Sequence, residues 1–239
     1  MFALFVALIV LKPFVLSLVG RPVTETSHPY HVGIAFKHKG ENYWKIYCSG
    51  VILSPRWILS AAECTSDDRF QGIYKVIVGV HDQLQFIGNE SFLHDVKRFE
   101  THPDYNRHIR YPFTDIGLYR LTKDITFDIN AHGVKLPGKN DPERQNGSVY
   151  MVGYMLKLSQ PHEGYRLRYT RHKLRKRVYC SANYGISFLR AYFCFGGQDS
   201  CSDWKPCAFN AGSGLIRKKR PYLYELIGIA SHEQDCNIQ

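Results

Sequence analysis

The sequence predicts an all-β protein, and three observations carry that expectation. The 11 prolines and 19 glycines are spread along 239 residues and leave few uninterrupted windows of helical length. Short runs rich in Val, Ile, Tyr and Phe recur between turn residues, as strands bounded by turns should. Apolar residues make up 44% of the chain, enough for a sizeable core, while 22% charged and 14% aromatic residues exclude wholesale disorder, collagen and coiled coil. A chain of this length forms one domain or two small fused ones, and helix should be scarce.

Residues 1–20 read as a secretory signal peptide and residues 21–239 as the functional domain. The leading segment carries a single charge, Lys12, and Val15 with Ser17 offers small residues at the offset a signal peptidase requires. The competing reading is a membrane anchor, but Lys12-Pro13 splits the run and no basic segment precedes it. No later stretch reaches 18 uncharged apolar residues, so no membrane span is expected beyond the signal, and the protein should be secreted and extracellular. Seven cysteines suit an oxidising compartment, and the odd number leaves at least one unpaired or joined to another chain. Two sequons for glycosylation, at Asn89 and Asn146, agree with secretion.

From Cys48 the chain reads Cys48-Ser49-Gly50-Val51-Ile52-Leu53-Ser54, then Trp57-Ile58-Leu59-Ser60-Ala61-Ala62-Glu63-Cys64. This resembles the segment of trypsin-like and chymotrypsin-like serine proteases that carries the catalytic histidine between two cysteines, with Glu63 at the histidine position. Pro29-Tyr30-His31-Val32 is similar to the family's first strand, and Thr114-Asp115-Ile116-Gly117-Leu118 to the segment bearing its aspartate. Cys207-Ala208-Phe209-Asn210-Ala211-Gly212-Ser213-Gly214-Leu215 stands where the family has its nucleophile loop, so the nucleophile position falls on Ala211. The resemblance runs from about residue 29 to Cys236. It implies two antiparallel six-stranded β-barrels packed side by side with the cleft between them, and a final strand and helix that here are shortened or missing.

By the same resemblance the working residues of acyl transfer are degenerate. The reaction needs a hydroxyl nucleophile, an imidazole base, an orienting aspartate and backbone donors for the oxyanion. Only Asp115 is retained. Ala211 has no nucleophile, and Phe209 replaces the glycine whose backbone N–H helps form the oxyanion hole. Asn210 stands where a buried aspartate would receive the activated N-terminus, and Val19-Gly20-Arg21-Pro22-Val23 lacks the family's activation sequence. Ser213 reads as a turn residue of a Gly-rich loop rather than a displaced nucleophile. The resemblance brings Glu63 and Asp115 into contact, and two carboxylates in one site should raise one pKa.

The resemblance also implies the disulfides Cys48–Cys64 and Cys180–Cys194. A further bridge of the family joins the positions of Val149 and Arg217, neither of which is cysteine. The fourth links Cys236 to the cysteine before the nucleophile position. Cys207 is the preferred partner, leaving Cys201 unpaired and available to a disulfide-linked partner; the alternative register pairs Cys201 instead. On the preferred register Lys205 stands at the base of the specificity pocket.

The formal net charge is +10, and the cations are concentrated. Arg166, Arg168, Arg171, Lys173, Arg175, Lys176 and Arg177 lie within twelve residues, and Arg217, Lys218, Lys219 and Arg220 are consecutive. Either these form a solvated face that aids solubility, or they bind a polyanion such as a sulfated glycosaminoglycan. Nucleic acid is electrostatically equivalent but belongs to another compartment. The 11 histidines show no zinc-ligand spacing, so no metal and no other cofactor is expected.

Together these readings describe a secreted, non-catalytic homologue that works by binding an extracellular protein, either a protease or its substrate, as a cofactor, decoy or regulator. It resembles small homologues of insect immune and seminal secretions. The alternatives are an active enzyme with a rewired site and a heparin-binding or antimicrobial basic protein.

Overall fold

The computed structural model describes residues 21–23, 27–65, 72–82, 89–109, 114–138, 148–156, 165–175, 194–196, 211–220 and 223–231. Strand β1 (Arg21–Pro22) opens the chain and joins the second of two sheets. Six strands then make a closed antiparallel barrel: β2 (His31–His38), β3 (Lys45–Ser54), β4 (Trp57–Ser60), β5 (Gly72–Val78), β6 (Leu93–Thr101) and β7 (Gly117–Leu121). Their order around the barrel is β2-β3-β4-β7-β6-β5, and β5 closes it by pairing back on β2, from Val32 opposite Val78 to His38 opposite Gly72.

The second sheet contains β8 (Ser148–Leu156), β9 (Tyr165–Arg175), β10 (Cys194–Gly196), β11 (Gly214–Arg220) and β12 (Leu223–Ile229) together with β1. Its order is β1-β9-β8-β11-β12, with β10 also pairing β9. The expected all-β, trypsin-like architecture is present, as a closed six-stranded barrel and a six-stranded second sheet. Helix among the described residues amounts to two 3-10 turns, Ala62–Cys64 and Glu90–Phe92. The segments expected as a signal peptide and as a shortened C-terminus both lie outside the described residues.

Period-two alternation decides which side chain enters which core. On β5, Val76 and Val78 point into the barrel with Val32, Ile34, Ile52, Ile58, Tyr119 and Leu121. Between them, Ile77 points outward and packs with Val51, Val152, Tyr154, Leu167, Ile216 and Leu226, which join the barrel to the second sheet. Strand β2 is therefore buried on both faces for most of its length. Each such Val, Ile or Leu taken out of water contributes roughly 1.5–3 kcal/mol. The junction is also hydrogen-bonded: the Tyr154 hydroxyl donates to the Val80 carbonyl at 2.6 Å, and the Leu167 N–H to the His81 carbonyl at 2.7 Å.

Candidate functional site

Glu63 is held by covalent and backbone constraints that begin at β4. The chain leaves Ser60, forms the 3-10 turn Ala62–Cys64, and is tied to β3 by the Cys48–Cys64 disulfide. Closing a loop with a sequence separation of 16 stabilises such a turn by about 3 kcal/mol. The turn aims the Glu63 N–H at Asp115 Oδ1, 2.9 Å away. Asp115 is buried just before β7, and its second oxygen, Oδ2, accepts from the Ser231 hydroxyl at 2.6 Å. Both oxygens of this carboxylate are thus satisfied, which is what burial of a charge demands.

Glu63 itself is mostly buried, and its carboxyl pKa is raised from 4.5 to about 7. Burial is the larger cause and the Asp115 charge the smaller, since both oppose a second negative charge in the same place. The expected approach of the two residues is therefore present, with the hydrogen bond between them running from the Glu63 backbone to the Asp115 side chain.

Ala211 reaches the same site from the second sheet. Its carbonyl accepts the Ser49 N–H at 2.8 Å, the Gly212 N–H donates to Ala230 at 2.8 Å, and the Ala230 N–H returns to Ser213 at 2.8 Å. Ala230 precedes Ser231, so one backbone network links position 211 to the partner of Asp115. Only glycine fits the next position: Gly212 has φ +81°, and a Cβ there would lie 2.2 Å from both the Ser49 carbonyl oxygen and the Ser60 hydroxyl. Ala211 is 5% exposed and belongs to the buried cluster that also holds Cys48, Ala61 and Cys64. Ser213 is fully buried, which withholds its hydroxyl from any peptide substrate.

Chemically, a carboxyl titrating near neutral pH could accept a proton, but position 211 presents a methyl group with none to give. Nothing in the sequence alone singles out Ser231, which lies in the run Gly228-Ile229-Ala230-Ser231. Phe209, Asn210, Lys205, Cys180, Cys201, Cys207, Cys236 and Asn146 lie outside the described residues, as does the side chain of Cys194. Asn89 is exposed, and its side-chain oxygen accepts from both the backbone and the hydroxyl of Ser91 in its own sequon. No group of three metal-ligating side chains occurs among the described residues.

Among the described residues, the basic side chains of β9 divide between two faces of the strand. The β8–β9 register sets Arg171 opposite Tyr150 and Lys173 opposite Ser148, on the face that also carries Tyr169; Arg168 opposite Gly153 and Arg166 opposite Met155 take the other face. Arg166 is held 3.3 Å from Asp82. Arg217 requires a correction: expected as an exposed binding residue, it is only 5% exposed and directs two guanidinium nitrogens at the Glu225 carboxylate. The physical reason is register. Arg217 pairs with Glu225 across β11–β12, and one step beyond the β8–β11 pairs it falls across from the buried Val149, where the resemblance has a lost disulfide. Lys218, Lys219 and Arg220 are exposed, with Lys219 3.9 Å from Glu225. Lys176, Arg177 and the side chain of Arg175 are outside the described residues.

Comparison with known proteins gives a consistent assignment. A family model described as Trypsin matches residues 18–239. Serine protease 28 of Mus musculus is 25% identical over 221 residues, covering 87% of this chain and 77% of that protein. The alkaline A trypsin of Manduca sexta is 26% identical over 190 residues, covering 76% of this chain and 71% of that protein. Among solved structures, neuropsin, a serine protease of mouse brain, superposes with a TM-score of 0.69 at 22% identity, over 91% of this chain and 87% of that one. That likeness speaks for the fold alone. With the family match spanning nearly the whole chain, and with Glu63, Asp115 and Ala211 gathered between barrel and sheet, the protein belongs to the trypsin family.

Proposed function

We propose that this is a secreted, non-catalytic member of the trypsin family that acts by binding, as a cofactor, decoy or regulator in an extracellular immune or seminal-fluid protease pathway. The observation that carries the reading is the pair of substitutions at one site: a buried methyl group at Ala211 and a carboxyl at Glu63 beside Asp115. Neither the nucleophile nor the imidazole base of acyl transfer is available there.

The test is direct. Purified protein should turn over no peptide ester and take no label from a fluorophosphonate probe. The double variant Glu63→His with Ala211→Ser should also stay at the level of its parent. Phe209 and Asn210 would remain, and each oxyanion donor lost costs about 2.7–4 kcal/mol of transition-state stabilisation. Labelling of the parent, or turnover by the double variant above it, overturns the reading.

Binding to a sulfated polyanion is the second part of the proposal, now centred on Arg171, Lys173 and Lys218 rather than on all the cations. Neutralising Arg171 and Lys173 together should lower the salt needed to elute the protein from heparin more than neutralising Lys39 and Lys123. Equal shifts would mean that net charge alone is at work.

A further inference from the structure

Apart from the Glu63 site, the second sheet and the segment before β2 border an open cavity of about 250 Å³. Its walls are aromatic: Tyr30, Tyr150, Tyr169 and Tyr224, with His28 among them and Lys218 also in the lining. The rings support one another. His28 stacks on Tyr169 at 5.1 Å between centroids, Tyr30 meets Tyr224 at 5.0 Å, and Tyr150 lies 6.2 Å from Tyr169. Strand register explains the gathering, because Tyr150 and Ile216 are paired across β8–β11 and Lys218 and Tyr224 across β11–β12, all on one face.

The chemistry of the lining favours one kind of occupant. The Tyr30 hydroxyl is itself buried, beyond the reach of a guest. The charge of the lining is one-sided. Lys218 places its ammonium 5.7 Å from the Tyr224 ring centre, Arg171 projects from the same face of β9, and among the described residues no carboxylate lines the cavity. Burial, with Lys218 nearby, keeps His28 neutral at physiological pH. A cationic guest would find aromatic faces but meet Lys218; an anionic ring would find the same faces and a counter-charge.

We infer that this cavity is a binding site for a small planar aromatic anion, an aryl sulfate or aryl carboxylate, whose ring lies among the tyrosines and whose oxygens meet Lys218. The volume, below the roughly 300–1,000 Å³ of sites for drug-sized ligands, suits one ring and its anionic group. The site goes beyond the proposed function, since it requires neither a protease partner nor a polyanion.

Phenyl sulfate, titrated into the full protein by ligand-observed NMR, should bind saturably with Kd on the order of 0.1–1 mM. Lys218→Gln should weaken it about fivefold or more. Tyr30→Phe should leave Kd unchanged and Tm unchanged or higher, because the hydroxyl it removes is out of the guest's reach and has no partner to lose. Lys39→Gln should leave Kd unchanged, and phenyltrimethylammonium should not compete. Absence of saturation at about 10 mM, unchanged Kd in Lys218→Gln, or equal affinity for phenyltrimethylammonium would each overturn the site.

Discussion

The Glu63–Asp115 site and the His28–His31 region are both removed from water, and burial drives their ionisable groups in opposite directions. At the first, a carboxyl faces another carboxylate and its pKa rises to about 7. At the second, His28 falls to about 4 and His31 to about 3, burial being the main cause for each, with Lys218 and His81 adding to it at His28, and His28 and His81 at His31. Among the described residues neither histidine faces a carboxylate that would restore its charge, and both ring nitrogens of His31 are buried without hydrogen-bond partners. The shared lesson is that this fold tolerates buried titratable groups by neutralising them, so its stability should be limited by alkali at one place and by acid at the other.

The sharpest way to separate the two is Glu63→Gln. Between the unfolded pKa of 4.5 and the folded value of about 7, the native state holds a proton that the unfolded chain has released, so stability falls as pH rises through that window. The variant should therefore be more stable than its parent by on the order of 3 kcal/mol at pH 8 and equal to it near pH 4, as read from urea midpoints. A variant that is destabilised at pH 8 would mean that a cation pairs with Glu63 and would remove one half of the comparison.

A smaller effect of opposite sign is expected from His31→Phe. The folded pKa of His31 is depressed, so the unfolded chain binds the proton first, and stability is lost as pH falls below 6.5 towards 3. Replacing the imidazole should improve stability at pH 5, relative to its effect at pH 7.5, by about 2 kcal/mol. Equal effects at the two pH values would show that packing against Tyr154, whose ring lies 5.4 Å away, outweighs titration.

How far the site could be read from sequence depended on how local its parts are. Glu63 and Asp115 sit in contiguous stretches whose letters match the family, and Cys48 with Cys64 frames the first of them. Ser231 was harder, because a lone serine acquires its role only when β12 carries it to Asp115. Arg217 misled for a related reason. In a run of four cations every member looks solvated, yet strand alternation turns one of them inward, and only the presence of Glu225 opposite it makes that burial tolerable.

The aromatic cavity shows the limit most plainly. Its walls come from positions as far apart as His28 and Tyr224, and no spacing in the chain links them. What the sequence determined by itself is the family, the β architecture, the residue types at the three working positions and the excess of positive charge, because each is written in a short run or in the composition. What tertiary structure alone decided is which cations face solvent, where the Asp115 carboxylate finds its second partner, and that four tyrosines meet around one cavity. Those outcomes rest on register between strands distant in sequence, and a shift of one residue would reverse every face involved.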